Sequence, residues 1–158
     1  MTSHVSAALL HLIIWLGADR YAIETAQIVE VVPLVRLKEL PGAPRGTAGI
    51  MNYRDDAVPV IDLNLLATGV ATQRRLASRI VLVHYPPEHS VLGLLVPQAS
   101  EMLRAETERF VDAGVATESM PYLGPVLTTP NGVIQRVAVS ALLTAELRDA
   151  LFRPGSRS

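Results

Sequence analysis

The sequence predicts an all-β fold, a barrel architecture closed by one C-terminal helix. Three observations predict it. Short β-branched and aliphatic runs recur along the chain, Gly, Pro and Asn-Gly turns separate them, and helical spacing over several turns is confined to the last stretch. The 158 residues suit one domain with a sizeable core. Hydrophobic residues make up 49% of the chain and charged ones only 18%, which fits a well-filled β core and leaves scope for apolar partner contacts.

Residues 5–16 form the first apolar run. No Lys or Arg precedes it, His11 interrupts it, and no small-residue cleavage pattern follows. It is shorter than the roughly 20 residues a membrane-spanning helix needs. A buried strand is expected, and with it a cytoplasmic protein without membrane insertion. Leu16 leads into Gly17 and then Tyr21-Ala22-Ile23, the pattern of a hairpin. Residues 24–32 read as a helical turn entering a strand that Pro33 ends. Residues 34–40 alternate apolar and charged side chains, as a half-exposed strand does. Pro41-Gly42-Ala43-Pro44 opens a loop.

The segment from Gly49 to Leu63 reads as two short strands joined by the charged turn Arg54-Asp55-Asp56. Pro59 cannot donate to a ladder, so its strand is expected at a sheet edge or starting at the proline. An edge leaves backbone groups open to a second protein, which points to a docking module. Asn64-Leu65-Leu66-Ala67 is a short helix ending near Gly69, and the polar stretch 70–75 is the expected connection between subdomains. Residues 79–85 and 91–96 are strands joined across 86–90. Asn131-Gly132 marks a final hairpin. Ser140 is expected to cap the last helix, with Leu143, Leu147, Ala150 and Leu151 on its apolar face. Pro154-Gly155 ends it, giving one domain over residues 6–153 and a polar tail, 154–158.

Charge and chemistry narrow the function. Fourteen Lys and Arg against 15 Asp and Glu give a formal charge of −1, which offers nothing to nucleic acid or an anionic membrane. The absence of Cys excludes disulfides and thiolate metal sites. Of His4, His11, His84 and His89, only the last two lie close together, beside Glu88, too few ligands for zinc. Asp55 and Asp56 are neighbours in a turn and face water rather than each other across a substrate. No nucleophile elbow, phosphate-binding loop or dinucleotide fingerprint is present. A protein that is not an enzyme, with neither metal nor cofactor, is expected. Arg54 stands out, because Arg and Tyr are enriched at interface hot spots and Tyr53 lies beside it. The competing class is a small-ligand-binding β-barrel, which needs convergent polar groups in a pocket. Aliphatic interior positions and only 4% aromatic residues make that pocket hard to build.

Several motifs in order resemble CheW-type chemotaxis coupling proteins over nearly the whole chain. They are Leu16-Gly17 with Tyr21-Ala22-Ile23, Val29-Glu30-Val31 after Ile28, Leu40-Pro41 with Pro44, Gly49-Ile50-Met51-Asn52-Tyr53-Arg54 followed by Val58-Pro59-Val60-Ile61-Asp62-Leu63, and Val91-Leu92-Gly93-Leu94-Leu95-Val96. The resemblance implies two intertwined five-stranded SH3-like β-barrels on a shared core. It implies a scaffold linking methyl-accepting chemoreceptor cytoplasmic tips, received in a groove between the barrels, to the regulatory domain of a CheA-type histidine kinase. Localisation beside membrane receptor arrays follows. Ile28, Glu30 and Arg54 fall on positions that the family associates with partner coupling. Two departures stand out: the family's Arg-Gly turn is Arg54-Asp55, and an Asp frequent after the later strand is replaced by Pro97-Gln98. They suggest an adaptor of an alternative, Wsp-like chemosensory system.

Overall fold

A computed structural model describes residues 8–85, 90–112 and 120–152. Strands β1 (Ala8–Leu16) and β2 (Asp19–Glu24) form the first hairpin, turning at Gly17. A 3-10 turn, Thr25–Gln27, carries the chain into a second sheet. There β3 (Ile28–Pro33), β4 (Thr47–Tyr53), β5 (Asp56–Asp62), β6 (Arg79–Tyr85) and β7 (Ser90–Val96) lie in the order β3-β6-β7-β5-β4. Pro97 alone separates β7 from β8 (Gln98–Glu106), which returns the chain to the first sheet. With β9 (Leu123–Thr129) and β10 (Gly132–Val137) that sheet reads β8-β1-β2-β10-β9. The barrels are intertwined because the first sheet is built from both ends of the chain, β2 and β10 pairing in parallel.

Each sheet has two apolar faces, and this explains the unbroken apolar runs. In the second sheet Val60, Ile80, Leu82 and Leu95 pack with Met51 and Val58 inside that barrel. The alternate residues Ile61, Val81, Val83, Leu94 and Val96 turn to a larger cluster with Leu12, Ile14, Leu16 and Ile23 of the first sheet. Side chains from both end strands, Val29 and Val32 of β3 and Met51 and Tyr53 of β4, meet the same interior cluster, so the sheet curls into a barrel. Gly93 permits this closure: a Cβ there would lie 2.8 Å from Val60 Cγ2 and 3.1 Å from Ile80 Cγ2. Two short helices flank the core. Helix α1 (Leu63–Thr68) is capped by the Asp62 carboxylate, which accepts from Leu65 N–H, and ends at Gly69 in the left-handed region. Helix α2 (Ala145–Leu151) buries Leu147 in the shared cluster, and Phe152 stacks on Tyr85 at 5.7 Å.

The first barrel's interior differs. Ile13, Ala22, Ala105, Phe110, Leu127 and Ile134 fill it, but polar groups share the space. His11 is fully buried, donates from Nδ1 to Leu9 O at 3.0 Å, and lies 5.1 Å from the Phe110 ring. The Arg136 guanidinium sits 4.3 Å over the same ring and 3.5 Å from Glu24 Oε1. Burial, reinforced by the Arg136 cation, lowers the His11 pKa below 6.5.

Several expectations are corrected. The strand holding Pro59 neither lies at an edge nor starts at the proline: β5 begins at Asp56 between β4 and β7, and its parallel pairing with β7 starts at Val60, just past the proline. The edges are β3 and β4. Residues 34–40 are not a strand; they make a single bridge, Lys38 to Ile50. Residues 70–75 do not connect the subdomains, because β5 and β6 share one sheet; the crossings are at the 3-10 turn and at Pro97. Thr144 rather than Ser140 caps α2, its hydroxyl accepting from Leu147 N–H at 3.1 Å, while Ser140 lies in a 3-10 turn that drives Leu142 and Leu143 into the core. Ala150, expected on the apolar face, is exposed. The joint at residues 86–89, His4, His89, the exact domain limits 6–153, Pro154-Gly155 and the tail lie outside the described residues.

Candidate functional site

The β4–β5 hairpin turns at two residues, Arg54 (φ 50°) and Asp55 (φ 69°). Positive φ at both central positions matches the strand twist but costs non-glycine residues about 1 kcal/mol or more each. Asn52 offsets part of that cost, because its Oδ1 accepts the Asp55 N–H at 3.0 Å. The turn aims Arg54 back across the open edge of the barrel toward β3.

Glu30 stands on that opposite edge. Its Oε1 accepts from Tyr53 Oη at 2.7 Å and from Arg54 Nη2 at 3.3 Å. The Arg54 guanidinium also lies 5.2 Å over the Tyr53 ring. Glu30, Tyr53 and Arg54 therefore tie β3 to β4, the two strands that no ladder joins among the described residues. The hydrogen bond to Glu30 is the main cause of a raised Tyr53 pKa, since it favours the protonated phenol that donates it.

The seam is open to solvent: the Arg54 side chain is 77% exposed and that of Glu30 41%. An exposed ion pair adds little stability. It does hold Arg54 in one pose with most of its N–H donors free, so less order is lost when a partner carboxylate or carbonyl arrives. No nucleophile or paired acid and base converges here, and among the described residues no three His, Cys, Asp or Glu side chains gather as a metal site.

Glu30 and Arg54 are brought together; Ile28 is placed elsewhere. A bulge between Ile28 and Glu30 sets them opposite Val83 and Leu82, neighbours that face different clusters. Ile28 is half-buried against the shared core, whereas Glu30 lies on the side of its own barrel's interior. On a regular strand residues two apart share a face, and the bulge removes that relation here. Tyr53 is the seam residue that sequence reasoning left without a role, and its position beside Arg54 was the available clue. Asp55 and Asp56 are both exposed, as a solvated pair should be, and His84 is exposed on β6.

Comparison with known proteins agrees with this architecture. A crystal structure described as that of the scaffolding protein TtCheW from Thermoanaerobacter tengcongensis superposes with a TM-score of 0.72 at 21% identity, covering 87% of this chain and 88% of that one. At that identity the likeness establishes the shared fold. Comparison with curated proteins returns no match. The CheW-like domain family matches residues 11–147, from β1 into α2, and the chain belongs to the CheW-like domain family.

Proposed function

We propose that this chain is a non-enzymatic scaffold that couples chemoreceptor cytoplasmic tips to the regulatory domain of a CheA-type histidine kinase. Membership of the CheW-like domain family across residues 11–147 carries that reading. The seam of Glu30, Tyr53 and Arg54 supplies a preorganised polar contact, and Ile28, half-buried where β3 enters from the first barrel, supplies an apolar one. The scaffold works in the cytoplasm beside membrane receptor arrays; no helix among the described residues is long and apolar enough to cross a membrane.

Asp55 and Pro97 favour an alternative chemosensory system, of the Wsp-like kind, over flagellar chemotaxis. Asp55 adds a carboxylate beside Arg54 in a turn already held at positive φ, and Pro97 occupies the crossing between barrels. An added carboxylate selects partners with a basic residue opposite it. The ligand-binding barrel is the weaker reading, since aliphatic side chains fill the second barrel's interior.

Co-sedimentation tests the scaffold. The purified chain should bring a receptor signalling hairpin and a kinase regulatory domain into one complex, which neither forms alone at the same concentrations. Individually weak contacts suffice, because array proteins gain retention from multivalency. Failure to bind either partner, separately or together, would overturn the reading.

A further inference from the structure

An open cleft of about 710 Å³ lies on the second barrel, beside the edge strand β4. Leu37, Ile50 and Asn52 line it together with three cations: Arg36, Lys38 and Arg74. Glu39 is the only acid among the lining residues. The convergence is built by the fold. Lys38 and Ile50 exchange two backbone hydrogen bonds of 2.8 Å, which lay the 36–39 segment along β4. Gly49 makes that approach possible, since a Cβ there would sit 2.6 Å from Lys38 O. Arg36 and Lys38, two apart around buried Leu37, are both exposed.

Arg74 comes from the loop after α1, and that loop is stapled on both sides. Thr72 gives its N–H and its hydroxyl to the Asp62 carboxylate at 2.9 and 2.6 Å. Buried Ser78 accepts the Arg75 N–H at 3.0 Å and donates to Gln73 O at 2.7 Å. The same stapled turn carries Leu76, 98% exposed. Among the described residues, no ion pair or side-chain hydrogen bond engages Arg36, Lys38 or Arg74. In a chain of net charge −1, this is a local concentration of unneutralised positive charge.

We propose that this cleft docks an acidic, amphipathic segment of a partner protein. Its carboxylates meet Arg36, Lys38 and Arg74, its apolar side chains meet Ile50, and it runs past the cleft onto exposed Leu76, two residues after Arg74. A protein segment fits better than an anionic membrane, because its side chains can enter a cleft that a planar bilayer would only span. Anchored loops lose little further freedom on docking. The inference needs only the cleft, so its failure would leave the scaffold reading and its seam untouched.

Fluorescence anisotropy on the full chain tests it, using a labelled helical peptide of Glu, Leu and Ala and a counterpart with Lys in place of Glu. The Glu peptide should bind at low ionic strength and weaken as salt rises, and the Lys peptide should not bind. Arg36→Glu and Arg74→Glu should each weaken binding by about fivefold or more, because reversal removes an attraction and adds a repulsion. Leu76→Ser should weaken it independently of salt. Both arginines are exposed, so unchanged melting temperatures will confirm intact folds. The proposal is overturned if the Glu peptide fails to bind, or binds the reversed-charge variants as well as the parent. It is equally overturned if vesicles of phosphatidylcholine and phosphatidylserine capture the chain while the peptide does not.

Discussion

The two barrels hold their charged groups differently. The second places Glu30, Tyr53 and Arg54 on its rim, spanning the gap between β3 and β4, and its buried Asp62 carboxylate is satisfied by the N–H groups of Leu65 and Thr72 and the Thr72 hydroxyl. The first takes polar groups inside, where His11 is fully buried and Arg136 is sandwiched between Phe110 and Glu24. Rim groups cost little to keep because water solvates them, and they remain free to bind. Interior groups cost desolvation, so they tie stability to protonation state. The proposed recognition seam thus lies on one barrel, and in the other buried His11 ties stability to pH.

The comparison breaks first if the barrels do not stand on one common core. Leu94 is fully buried in the cluster shared by both sheets. Leu94→Ala should cost about 2–5 kcal/mol through lost burial and an unfilled cavity. Calorimetry should show one unfolding transition moved to lower temperature. Two separated transitions would mean that the barrels fold as independent units.

The next effect is confined to the first barrel. The folded-state pKa of His11 lies below 6.5, so the unfolded chain takes up the proton first on acidification. The stability from neutral, buried His11 is complete above that value and is lost as pH falls toward the lowered folded-state value, by at most about 1.4 kcal/mol per pH unit. Urea unfolding at a series of pH values should show this slope in the parent and a flatter one in His11→Gln. Equal slopes would place the acid sensitivity elsewhere.

Much of the fold was legible in the sequence, for identifiable reasons. Gly17, Gly132 and Gly69 mark turns and a helix end through backbone requirements that few residues meet. Runs such as Ile80-Val81-Leu82-Val83 report burial on both faces wherever they sit. The misreadings share a cause, which is that pairing is settled by residues far away in sequence. Pro59 looked like an edge because nothing local shows that β7 would pair only from Val60 onward. Residues 34–40 alternate like a strand but find one bridge partner, Ile50. Ser140 is in isolation the stronger cap, yet it lies in a 3-10 turn beside buried Leu142 and Leu143, and Thr144 caps the helix. The candidate site was harder still. Glu30 and Arg54 are separated by 24 positions, and only a family resemblance singled both out. The resemblance could not show that a bulge would turn Ile28 away from Glu30. His11 read as an interruption of an apolar run, since Arg136 and Glu24 come to it through tertiary packing.

The smallest expected change in stability accompanies the central claim, that the rim seam serves binding rather than folding. Calorimetric titration of receptor hairpin and kinase regulatory domain into the parent, Arg54→Glu and the charge-swapped double variant Glu30→Lys/Arg54→Glu tests it most directly. Arg54→Glu should leave stability within about 0.5 kcal/mol while weakening at least one partner, because the altered charge is exposed. The swap re-forms an ion pair across the seam but presents it with reversed polarity, so binding should stay weak. Partner affinity restored by the swap, or lost only in step with a falling melting temperature, would contradict the account and make the seam a strut of the barrel.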